Sequence, residues 1–140
     1  MNAFTWAILA SLMWGIVPLF EKLGLQGVRP IVGLFYRCLG VTIGLLLLGL
    51  FMVKPEEIKS VELRSVVLLV LAGFIASFVG QICFYNSLKV SEVSRVVPIA
   101  GSFPLIAFML GVIFLGESVN LHKLIGALLV IIGIWMLKIG

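Results

Sequence analysis

Residues 31–53 read IVGLFYRCLGVTIGLLLLGLFMV, opened by Arg29-Pro30 and closed by Lys54-Pro55. Arg37 is the one charge in this run of 23 residues. An α-helix of that length crosses about 30 Å of hydrocarbon at about 1.5 Å per residue. A membrane β-strand is about half as long and alternates in polarity, which excludes a barrel. Four similar runs flank it, over about 4–20, 63–88, 93–115 and 121–139, the first closed by Glu21-Lys22. The expected fold class is all-α and integral to the membrane, with five transmembrane helices in one domain over residues 1–140.

Composition supports this class. The chain is 62% hydrophobic and 11% charged, whereas a soluble domain carries about a quarter charged residues. A chain this short has too much surface to hide that much apolar side chain from water, so the lipid bilayer is its first partner. The net charge of +4 does not imply nucleic acid, because the basic residues stand singly between hydrophobic runs, where membrane proteins keep loop charge. Cys38 and Cys83 lie inside apolar runs without metal-ligand spacing. The first fifteen residues contain no Lys or Arg, so the first run reads as a retained anchor rather than a cleaved signal. The expected location is the cell membrane, multi-pass, of a bacterium or archaeon.

Punctuation between the runs has helix-end chemistry. Pro30 suits the first turn of the second helix. Ser60 with Glu62 suits the start of the third, Ser91-Glu92 the fourth and Asn120 the fifth. The longest connection, Lys54 to Arg64, has room for a turn or two of surface helix. Five crossings put Lys54, Lys59, Arg64 and Lys123 on one face and Lys22, Arg29, Lys89, Arg95 and Lys138 on the other. That four-to-five balance is too even for the positive-inside rule to fix one orientation. Insertion in both orientations, with an inverted copy as partner, competes with a single orientation whose C-terminus is cytoplasmic.

Small residues let helices approach closely in lipid. In the second helix Gly33, Arg37, Gly40 and Gly44 share one face, so the charge lies on the packing stripe. A mid-membrane Arg costs roughly 2.5–3.5 kcal/mol, and each Leu, Ile, Val or Phe returns roughly 0.3–0.6, so the apolar residues around Arg37 offset it. Arg37 either snorkels to the interface or grips an anionic or polar ligand group. The third helix repeats the stripe with Gly73, Ser77, Gly80, Phe84 and Ser87, beside which lie the polar Gln81, Tyr85 and Asn86. These three bond neighbouring helices or contact substrate. The fourth carries Pro98 and Pro104 around Gly101-Ser102, and each proline frees a carbonyl four residues back, Ser94 and Ala100. A double kink suits a helix bent around a cavity or flexing as a gate. The fifth, with Gly126 and Gly133, reads as a packing or dimerisation helix. Trp14-Gly15 in the first lines a cavity or simply packs.

There is no Asp, and nothing resembles a nucleophile with its base, a metal cluster or a phosphate loop. An enzyme is not expected, nor a metal or cofactor. Proton-coupled transport usually uses an intramembrane carboxylate or His. Only Glu21 comes near one, at a run end where Lys22 neutralises it, which weighs against proton coupling.

The order of these residues is itself informative. Trp14-Gly15 and Lys22 are followed by Arg37, Tyr85-Asn86-Ser87-Leu88, Ser91, Val97-Pro98, Pro104-Leu105, Leu115-Gly116-Glu117, Gly126 and Gly133. The set resembles the EamA-type domain of the drug/metabolite transporter superfamily over essentially the whole chain. That resemblance implies one inverted-repeat unit of a ten-helix transporter, with substrates (amino acids and derivatives, sugars, nucleotide-sugars or drugs) crossing between two halves. One such domain implies a homodimer, most simply antiparallel, with the fifth helices in its contact, transporting small polar or amphipathic metabolites by alternating access. It suggests Trp14, Arg37, Gln81, Tyr85, Asn86 and Ser102 as substrate-binding residues. The chain is also similar to the small multidrug resistance family in size and in its glycine-rich last helix, but lacks that family's mid-membrane glutamate in the first helix. A non-transporting subunit that assembles with another membrane protein is the alternative.

Overall fold

A computed structural model describes residues 2–139. Among them, five helices are long and apolar enough to cross a membrane: Ala3–Gly24, Pro30–Met52, Leu63–Val90, Val93–Leu115 and Leu121–Ile139, here the first to fifth helices. No strand is present among the described residues. The chain is an all-α membrane protein, as its runs of apolar residues require. Its large apolar side chains point outward, Leu50 at 78% exposure, Phe51 at 83% and Phe114 at 78%, a surface suited to lipid and not to water.

The helix ends follow from local chemistry. Asn2 starts the first helix, its side-chain oxygen accepting from the Thr5 N–H at 2.9 Å. Pro30 opens the second helix where a missing N–H costs nothing. The expected surface helix in the long connection is Pro55–Lys59. Ser60 ends that helix, so it does not start the third; Glu62 and Glu92 stand at the N-caps of the third and fourth without a side-chain cap bond. Asn120 caps the fifth, accepting from the Lys123 N–H at 2.9 Å.

Three departures from the sequence reading matter. The first helix does not stop at Phe20; it continues to Gly24, which makes Glu21 and Lys22 helical residues. The third is not a continuous α-helix. Residues Ile75–Gly80 form a π-helical segment, whose wider turn shifts the face that follows. Gly73, Ser77, Gly80 and Ser87 are exposed, while Tyr85 and Leu88 are the buried residues of the segment Gln81–Val90 that follows the π turn. The fourth helix breaks at Gly101-Ser102 and restarts at Phe103. Pro98 lies within the first segment, but Pro104 is in the first turn of the second, where prolines are tolerated. One break with a fresh start thus replaces two kinks.

The chain forms two compact units, one ending at Val90 and one beginning at Ser91. In the first, the segment Gln81–Val90 packs against both the first and second helices, around Leu25, Leu34, Tyr85 and Leu88. In the second, Val93–Ala100 packs against the fifth helix. Gly116 ends the fourth helix with φ +66°, its N–H returning to the Gly111 carbonyl. This reversal lays the Glu117 carboxylate over Gly111, whose added Cβ would lie 3.1 Å from the Glu117 Cδ, and Lys123 Nζ pairs with Glu117 Oε2 at 3.8 Å. Gly116→Ala is expected to destabilise the purified protein by roughly 1–2 kcal/mol, read as a lowered midpoint in detergent thermal unfolding; an unchanged midpoint would contradict the left-handed cap.

Candidate functional site

The extension of the first helix through Glu21 creates the site. Glu21 Oε1 accepts a hydrogen bond from Gln81 Nε2 at 2.8 Å and another from Tyr85 Oη at 3.0 Å. Arg37 Nε lies 3.4 Å from the same oxygen. Three helices meet at one atom. The Glu21 side chain is 9% exposed and that of Arg37 31%, so Arg37 is ion-paired against a neighbouring helix rather than snorkelling. Gln81 and Tyr85 bond another helix, the first of the two roles open to them from sequence.

Spacing explains the arrangement. Gln81 and Tyr85 are four apart and share a face of the third helix. Gly33 and Arg37 share a face of the second, and Gly33 lets the chains close in. A Cβ there would fall 2.6 Å from Leu25 Cδ2 and 3.4 Å from the Tyr85 ring. Adjacent helical residues do not face each other, so Lys22 does not neutralise Glu21. The Lys22 ammonium donates to the Leu88 carbonyl, and Lys89 Nζ donates to the Val28 carbonyl at 2.7 Å. These two lysines tie together the same end of the unit.

The cluster borders a cavity of about 710 Å³ between the first three helices. Val17, Phe20, Tyr36 and Val41 give it apolar walls, and Glu21, Arg37 and Tyr85 a polar end. Such a lining, apolar with a few convergent polar groups, is what a small-molecule site requires. Among the described residues no cluster of His, Cys, Asp and Glu could hold a metal ion.

Of the residues singled out from sequence, Arg37, Gln81 and Tyr85 come together. Trp14 is 66% exposed. Asn86 turns back on its own helix, donating to the Ile82 carbonyl at 2.8 Å. Ser102, in the second unit, donates to the Ile99 carbonyl at 2.6 Å. Gly126 and Gly133 are exposed, with nothing within 4 Å of an added Cβ. Glu21, the hub, is the residue that the sequence reading left out. The available signal was its spacing: it lies four residues after Val17 and one turn inside a helix whose end Gly24 marks better than Glu21-Lys22 does.

Five membrane-crossing helices place the chain among multi-pass membrane proteins. The EamA-like transporter family matches residues 1–139, and the chain belongs to that family. An uncharacterized transporter of Archaeoglobus fulgidus is 24% identical over 131 residues, covering 94% of this chain and 46% of that protein. One of Clostridium kluyveri is 26% identical over 129 residues, covering 91% of this chain and 40% of that protein. An uncharacterized protein of Methanocaldococcus jannaschii is 26% identical over 142 residues, covering 99% of this chain and 98% of that protein. The chain thus spans less than half the length of the first two and nearly all of the third. No solved structure matches it.

Hydrogen bonds to a charged acceptor contribute roughly 1.5–3 kcal/mol each. Gln81→Leu and Tyr85→Phe are each expected to lower stability by that order in detergent unfolding, whereas Asn86→Leu, whose amide bonds only its own helix, changes it by less than half as much. Equal effects at all three positions would contradict the hub.

Proposed function

We propose that the chain is one repeat unit of a transporter for small polar or amphipathic metabolites, working as a homodimer by alternating access in the cell membrane. The observation that carries this reading is the cavity whose polar end is Glu21, Arg37 and Tyr85, with Gln81 bonded to Glu21 behind them. A polar group within a hydrocarbon-crossing helix is costly, and its usual compensation is function.

The relatives support the dimer. The same unit makes up nearly all of one relative and less than half of two others, the pattern expected when a repeat serves both alone and as half of a longer chain. Five crossings put the ends of a unit on opposite faces, so a second copy is most simply antiparallel, in keeping with the near-even loop charge. Gly126 and Gly133, open on the fifth helix, are the proposed contact between copies. Arg37, Gln81 and Tyr85 are the proposed substrate residues, joined by Glu21. Trp14, Asn86 and Ser102 stand outside the hydrogen bonds of that cluster and take a smaller part. The break at Gly101-Ser102, with Pro98 before it and Pro104 after it, is the proposed moving joint.

Two measurements test this. Uptake of radiolabelled metabolites into proteoliposomes should exceed that of empty vesicles and fall at least tenfold in Arg37→Ala; no uptake across a broad panel would sink the transport reading. Reporter fusions at the C-terminus should be active on both sides of the membrane, and activity on one side alone would rule out the antiparallel pair.

A further inference from the structure

Arg37 Nε, Gln81 Nε2 and Tyr85 Oη, from two helices, close on the single oxygen Glu21 Oε1. A permanently charged guanidinium, an amide N–H and a phenol O–H that converge on one point make a receptor for an oxyanion. The oxyanion in it belongs to the chain itself. Charge then restricts what else can enter. The cluster is neutral as it stands. A second anion beside an ionised Glu21 sets two negative charges about one guanidinium in poorly solvating surroundings. A cation meets Arg37. An anion that arrives with a proton for Glu21 leaves the net charge unchanged: the carboxylate becomes a neutral carboxyl, and Arg37 passes from Glu21 to the guest. The remaining neighbours do not alter this balance. Tyr85 faces Glu21 from the third helix as a neutral donor, Tyr36 lines the cavity from the second, and the Lys22 ammonium is turned to the Leu88 carbonyl.

We infer that Arg37, Gln81 and Tyr85 form the anion site of the substrate, that Glu21 is a tethered competitor for it, and that the substrate is an amphipathic monoanion carried with one proton. The inference rests on the transporter reading of the same cavity, whose apolar walls Val17, Phe20 and Val41 suit a hydrocarbon or aromatic body. One anion and one proton enter together. On release the proton leaves the Glu21 carboxyl, and the carboxylate returns to Arg37. The sequence reading, in which neutralisation of Glu21 by Lys22 weighs against proton coupling, points the other way.

The test is calorimetric titration of the purified chain in detergent with benzenesulfonate, an aromatic anion whose charge is constant over the range used. Conditions of about pH 5 and about pH 8 bracket the upper part of a carboxyl titration. Wild-type protein should bind several-fold more tightly at the lower pH. Glu21→Gln, with the competitor removed, should bind at the higher pH on the order of tenfold more tightly than wild type, and without pH dependence. Arg37→Gln should abolish binding, and neither benzenesulfonamide nor benzyltrimethylammonium should bind in its place. Loss of benzenesulfonate binding in folded Glu21→Gln would overturn the inference, because Glu21 would then hold substrate rather than compete with it. No binding by wild type or variant overturns it as well. If Glu21→Gln does not fold, the wild-type comparison decides, and equal or weaker binding at the lower pH overturns it. Because these readings are taken at equilibrium, binding without flux in proteoliposomes would sink the transport reading alone, and flux of uncharged or cationic solutes without anion binding would sink this inference alone.

Discussion

In a bilayer an ionised side chain needs a partner, and the first three helices of this chain are arranged around one such pairing. Arg37 is carried by the second helix and Glu21 by the first, with 3.4 Å between Nε and Oε1. Either charge alone would oppose insertion of its helix; together they offset part of each other's cost. Gln81 and Tyr85 then bring in the third, since a carboxylate oxygen can accept several donors. The tightest apolar packing of the unit follows at the same level, with Leu34 and Tyr85 buried and Leu88 wholly so. Lys22 and Lys89 close that end against backbone carbonyls of the neighbouring segments. Polar chemistry thus sets the geometry, as expected where lipid offers no hydrophobic drive between helices.

The same interaction shows what could and could not be read in advance. Helix number and extent followed from length and apolarity, because a bilayer leaves almost no other solution for residues 31–53 and their four companions. The second, fourth and fifth helices end within a residue of the runs from which they were read. The polar members Arg37, Gln81 and Tyr85 stood out because they interrupt apolar runs. Glu21 did not, because Glu21-Lys22 looks like loop punctuation. The spacing from Val17 and the glycine at position 24 hint that the pair lies inside the helix, but the partners that hold Glu21 there stand sixty residues away. The π segment Ile75–Gly80 was hidden for a similar reason. Nothing in IASFVG forbids an α-helix, and the wider turn sets the face carrying Gln81 and Tyr85, whose partner is again Glu21. Pro104 was misread because a proline signals restriction without saying whether it bends one helix or begins another.

The depth of the cluster bears on how a repeat unit would be used. At about 1.5 Å per residue, Glu21 lies roughly 4.5 Å from the Gly24 end of its helix, Arg37 roughly 10 Å from Pro30 and Gln81 roughly 13 Å from Val90. Those three ends share one face, the face of Lys22, Arg29 and Lys89. Across about 30 Å of hydrocarbon, the cluster therefore sits in one leaflet and not at the midplane. Two parallel copies would put both clusters in the same leaflet and leave the other without a polar foothold. Two antiparallel copies would put one in each. A solute crossing between inverted copies would then pass from one Arg37 to the other over a short apolar stretch, and the two-fold axis would make its exit the rotated equivalent of its entry. In the proposed antiparallel pair the even loop charge would have a physical purpose, because a unit whose site lies off-centre would serve both leaflets only by inserting both ways.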